Sequence, residues 1–179
     1  TGSWTTVEAS VESASFIGID GFVASGTNLA VSVNQSSDPN RFADYSENPV
    51  TIETGPDSSL DLTIDGAKGP FLQVSGTLDF DIFGFFTLSG NFALSKSNGT
   101  VTLSNGNTID VDRLTVGVSD VNAFAGINGG TANELGFSLT GLEVALALQS
   151  NLNDPSKKYV SLEAEASSAE FVGIPAIEV

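Results

Sequence analysis

Cysteine, histidine and methionine are absent from the 179 residues, tryptophan occurs once and tyrosine twice. Without cysteine there are no disulfides, zinc–thiolate sites or thiol nucleophiles. Without histidine the commonest general base and metal ligand near neutral pH is missing. Together these gaps argue against most hydrolytic and redox chemistry, and no enzyme is expected. Basic residues are scarce too. Arg41, Lys68, Lys96, Arg113, Lys157 and Lys158 stand against 22 acidic residues, for a net charge of −16. A surface of that sign repels phosphate backbones and anionic lipid, so no nucleic-acid partner is expected. It attracts divalent cations and keeps a long secreted chain soluble. No apolar run approaches the ~20 residues of a spanning helix, so no membrane insertion is expected. No secretion signal opens the chain, which places any such signal elsewhere in a longer parent.

What is present is a β pattern. With 40% hydrophobic residues the chain has the material for one folded domain without staples. Apolar residues rarely recur at helical spacing, whereas period-two alternation is strong. Leu72, Val74, Gly76, Leu78, Phe80 and Ile82 share one face of a strand whose other face carries Gln73, Ser75, Thr77, Asp79 and Asp81. Phe86, Leu88, Gly90, Phe92 and Leu94 do the same in the next segment, and Gly84 between them makes an antiparallel hairpin. Asn105-Gly106 marks a second hairpin, joining Val101–Leu103 to Ile109–Val111. A short helix is expected at 120–125, and helix is otherwise minor.

The chain ends almost as it begins. VEASVESASFIGID (7–20) and LEAEASSAEFVGIP (162–175) align at an offset of 155 without a gap. Glu8/Glu163, Ala9/Ala164, Ser13/Ser168, Ala14/Ala169, Phe16/Phe171, Gly18/Gly173 and Ile19/Ile174 are identical, and Trp4 falls on Tyr159. The whole of 1–179 therefore reads as a single β-rich repeat unit, about one 155-residue period plus an overlap. The Phe-[Ile/Val]-Gly-Ile segment is the expected crossing point between units, with Pro175 in place of Asp20 as an altered edge. A shorter pattern, Gly-Phe-x-x-[Ser/Thr]-Gly, starts at Gly21 and again at Gly136, with a related copy at Phe86–Gly90 and a looser one at Phe71–Gly76. Glycine inside a strand costs roughly 0.5–1 kcal/mol relative to alanine, so its repetition implies bulges, bends or close backbone approach. The phase of the apolar residues after the glycine differs between copies: Leu78 and Phe92 lie two positions beyond Gly76 and Gly90, but Leu29 and Val144 three beyond Gly26 and Gly141, which predicts bulges in some strands. The expected fold is all-β and antiparallel, with long bent strands in an elongated sandwich or flattened barrel.

The segments FxGIDGF, SGxxxL, GFFxLSGxFAL and DVNAFAGINGGT, within a period near 155, resemble the tandem repeats of giant bacterial secreted or surface proteins of the adhesin-like kind. The resemblance implies an extracellular or cell-surface setting, a structural or adhesive role and neighbouring repeats of the same chain as partners. It carries over no functional residue and names no cell-surface partner.

Candidate sites are few. Asp79/Asp81 and Asp110/Asp112 alternate along single strands, and neighbouring strands could complete an oxygen cage for Ca²⁺ around them. The competing reading is a solvated face charged for solubility and against edge pairing. No cofactor is expected beyond that calcium alternative. A glycosidase pair of carboxylates lacks clustered cleft aromatics. Ser95, Lys96 and Ser97 read as the polar end of a hairpin, and Trp4, Tyr45 and Tyr159 are too scattered for a sugar platform. Phe80, Phe83, Phe85, Phe86 and Phe92 are expected to fill the core of a folded-over sheet, with a groove for an acyl chain as the alternative.

Overall fold

The computed structural model describes residues 2–16, 18 and 20–174. Ile17, Ile19 and Pro175, on which the expected unit crossing partly rests, lie outside the described residues. Strand accounts for 69% of the described residues and helix for 2%. The strands are β1 (Trp4–Phe16), β2 (Phe22–Ser36), β3 (Val50–Gly55), β4 (Ser58–Leu62), β5 (Phe71–Ile82), β6 (Phe86–Thr102), β7 (Thr108–Ile127), β8 (Leu135–Asn151), β9 (Lys158–Glu165) and β10 (Ser168–Val172). One large antiparallel sheet runs in the order β1-β2-β5-β6-β7-β8, and both β9 and β10 then pair with β8. β3 and β4 form a separate two-stranded hairpin. Among the described residues the two sheets lie in a sandwich-like arrangement without a closed barrel.

Both expected hairpins form. β5 and β6 pair from Phe71↔Ser97 to Ile82↔Phe86 around Gly84 (φ 67°). The Asn105-Gly106 turn closes β6 on β7, with Leu103 N–H donating to Asn107 C=O at 2.8 Å and Gly106 at φ 84°. The expected helix at 120–125 does not form; those residues continue β7. The physical reason is Asp120, whose φ of 54° belongs to a bulge and not to a helical turn.

Bulges keep the apolar residues on one face. Val31 and Val33 of β2 pair with Val74 and Leu72, but nearer the other end of the strand it is Ala24 and Phe22 that meet Phe80 and Ile82. The odd residues thus give way to even ones, and the register shift between Thr27 and Ala30 makes the exchange. In β7 the exchange runs from Val116 and Val118, opposite Leu94 and Phe92, to Ala123 and Ala125, opposite Leu88 and Phe86. Asn28 (φ 50°), Asp120 and Gly141 (φ 59°) hold the left-handed backbone these irregularities need. The strand glycines seat the bulged side chains. A Cβ at Gly76 would stand 2.6 Å from Leu29 Cδ2, and one on Gly90 2.5 Å from Val121 Cγ2. Gly26 and Gly141, equated by the shorter sequence pattern, therefore differ in role. Gly26 lies beneath Leu29, whereas Gly141 is itself a positive-φ residue.

The second layer is partial. The segment between β2 and β5 folds over the other face of the β1–β2 corner. The buried Asn34 donates from Nδ2 to Ala43 C=O at 2.7 Å, Trp4 donates from Nε1 to Arg41 C=O at 3.0 Å, and Thr63 N–H donates to Glu8 Oε2 at 2.6 Å. Ile64 and Phe71 are buried there. Elsewhere the sheet stays open. The accessible area is 11875 Å², against about 8,200 Å² for a compact monomer of this mass.

Candidate functional site

The four aspartates singled out for calcium do not converge. Asp79 and Asp81 stand on β5 beside Ser89 and Thr87 of β6, on the polar face. Asp110 and Asp112 share the parity of Leu114 and Val116 on β7, which places them on the apolar face. Asp79 is level with Asn122 of β7, ten residues from Asp112, which corresponds to about 33 Å. Each pair also has local work: Asp81 Oδ1 accepts from Gly84 N–H at 2.7 Å, and Asp112 pairs with Lys96 Nζ at 3.2 Å. Among the described residues no three metal-ligating side chains gather.

Lys96 alternates away from Ser95 and Ser97 and pairs with Asp112, so the three do not form a serine–lysine dyad. The phenylalanines divide. Phe80 and Phe92 are half-buried on the apolar face, but Phe83 and Phe85 lie at the β5–β6 turn, 59% and 58% exposed. These two do not fill a core. A shallow trough of about 470 Å³ opens on the polar face over Ala93, Ser95, Thr115, Gly117, Ala145 and Ala147. Ser161, Leu162 and Glu163 of β9 also line it, and Glu163 is its single charged group, so no set of charges converges there.

Two carboxylates are held below the usual range. Asp44 accepts from the Ser46 hydroxyl at 2.7 Å, then from the Ser46 and Gly66 backbone N–H groups. Asp154 accepts from the Ser156 hydroxyl at 2.6 Å and pairs with Lys157 Nζ at 3.2 Å. Both stabilise turns, Asp44 in the inserted segment and Asp154 between β8 and β9. Neither is a catalytic arrangement.

The surfaces that remain are the apolar face and the two sheet edges. Val7, Val11, Leu148, Val160 and Leu162 are all more than a third exposed. β1 forms one edge of the large sheet, and β9 with β10 forms the other. The sequence had already marked these two strands, by their repetition, without showing that they lie on opposite edges. No family model, no curated protein and no solved structure matches this chain.

Proposed function

We propose that the chain is a non-enzymatic structural or adhesive repeat module of a very large bacterial secreted or cell-surface protein, with neighbouring repeats of the same chain as its partners. One observation carries this reading. The repeated sequence supplies both outer strands of the large sheet, so the sheet ends on the strand with which it starts. A unit of that kind is extended by adding another unit. The strongly acidic surface suits a long extracellular chain, because like charges oppose collapse and aggregation.

No comparable observation favours the calcium or acyl-chain alternatives, since the aspartate pairs stand apart and the exposed phenylalanines line a turn. A thermal melt with Ca²⁺ and with EDTA checks the former; a raised midpoint in Ca²⁺ would revive it. The repeat reading is tested by the sequence flanking this segment in its parent. A further copy of VEASVESASFIGID one period away is expected, and unrelated flanks on both sides would contradict it.

A further inference from the structure

The first and last strands of the large sheet repeat one sequence, and among the described residues their backbones are unpaired on opposite sides. β1 holds one register against β2 from Trp4↔Ser36 to Phe16↔Ala24. β9 and β10 hold one register against β8 from Ser150↔Lys158 to Gly136↔Val172, as a single strand interrupted at Ala166 and Ser167. The meander makes six strand-to-strand steps from β1 to β9–β10, so the two run in the same direction.

In an antiparallel ladder alternate residues turn both backbone groups to alternate neighbours. Ser37 N–H donates to Ser3 C=O at 3.0 Å, so the odd residues of β1 as far as Val11 bond to β2, and Trp4, Thr6, Glu8 and Ser10 face the open edge. Asn151 N–H donates to Lys157 C=O at 3.0 Å, so the odd residues from 157 to 165 bond to β8. Lys158, Val160, Leu162 and Ala164 are left facing the opposite edge. At the offset of 155 these are Ser3, Thr5, Val7 and Ala9, the positions with which β1 holds β2.

We infer that β9–β10 is the first strand of the following unit. It is held by β8 on one edge and takes β2 of the next copy on the other, so that successive units form one continuous antiparallel sheet. This rests on reading the chain as a unit of an array, and it names the partner: the β2 edge and the inserted segment of a second copy.

The side chains agree. Phe16 meets Phe22 edge-to-face at 5.6 Å, and Phe171 meets Phe137 in the same manner at 5.4 Å. A shared phenylalanine sits between both, which accounts for the 53% and 72% exposure of Phe16 and Phe171 in a single unit. Glu8 accepts from Thr63 of the inserted segment, whereas Glu163 has no hydrogen-bond partner among the described residues. In the continuous sheet Glu163 accepts from Thr63 of the following unit. Tyr159 there takes the place of Trp4, whose ring lies 5.7 Å from the Arg41 guanidinium. Two of the identities between the repeated stretches, at 8/163 and 16/171, thus fall on side chains that grip the β2 side.

The test compares the 179-residue chain with a two-unit chain in which residues 1–155 run directly into 1–179, leaving one strand at the junction. Amide exchange by NMR reads each backbone group. In the single chain the amides of Thr6, Glu8 and Ser10 exchange freely. At the junction of the two-unit chain they slow by at least about a hundredfold, while their odd-numbered neighbours remain protected. Phe171→Ser in the single chain and Phe16→Ser at the junction serve as paired controls, the latter loosening β8 and β2 together. Protection of only one parity at the junction overturns the shared strand, even if unrelated evidence upholds the tandem array. Unrelated flanking sequence would instead sink the array itself.

Discussion

β1 and β9–β10 are nearly one sequence in two settings. β1 is gripped on one face by the inserted segment through Trp4 and Glu8, and Ser3 just before it donates from its N–H to Ser37 Oγ at 2.9 Å. Among the described residues β9–β10 has β8 alone. The exposures follow the difference on the face that the insertion covers: Glu8 is half-buried and its equivalent Glu163 exposed. The same side chains are therefore worth different amounts of stability on the two edges. What varies is the presence of a β2 and an insertion beside them.

The largest expected break in this comparison is deletion. Removing residues 1–18 should lower the urea midpoint by about 1 M more than removing 156–179, because β2 and the insertion lose their partner together. Equal midpoints would show that the insertion contributes nothing through β1. Next come the bulges at the two sides of the sheet. Leu29→Ala, which empties the space above Gly26 and Gly76, should cost about 2 kcal/mol in chemical denaturation. Ser167→Ala, beside Gly141, should stay within about 0.5 kcal/mol. A smaller contrast lies in the carboxylates. Glu8→Ala should cost about 1 kcal/mol through the lost Thr63 hydrogen bonds. Glu163→Ala should be close to neutral in the single unit.

The smallest effect is acid dependence. Asp44 and Asp154 are held below the ordinary carboxylate range by the Ser46 and Ser156 hydroxyls respectively. A lowered folded-state value means that their contribution is present above the unfolded value of about 3.9 and is lost as pH falls through the lower folded one. Acid melts should show Asp44→Ala and Asp154→Ala converging on the parent chain only below about pH 4. Curves already coincident at pH 6 would contradict the hydrogen bonds.

The strand content and both hairpins were legible because alternation and Asn-Gly chemistry are local. The difference in spacing after the strand glycines likewise pointed to bulges, since a bulge shifts the phase of the apolar side chains by one residue. The roles of those glycines were not legible. Gly26 and Gly141 sit in matching sequence patterns, yet one lies under a neighbour's side chain and the other supplies a positive φ. Only pairing with an adjacent strand separates the two. Segments such as Thr27-Asn28-Leu29, Ser119-Asp120-Val121 and Thr140-Gly141-Leu142 carry the usable signal, a small polar residue or glycine able to adopt positive φ before an aliphatic one. The placement of the aspartate pairs was legible only in part, for a related reason. Alternation places each pair on one face of its own strand, but the bulge in β7 and the length of the strands decide which face that is and how far apart the pairs stand.

A continuous sheet also fixes how an array lengthens. Stacking end to end along the strands would advance an array by the length of a strand, about 40 to 66 Å for the 12- to 20-residue central strands. Growth through a shared edge advances it by six strand spacings, those of β1, β2, β5, β6, β7 and β8, or about 29 Å before twist. Small-angle scattering from chains of two, three and four units measures this increment directly. A maximum dimension growing by about 29 Å or less per 155 residues supports the shared strand; growth by 40 Å or more contradicts it.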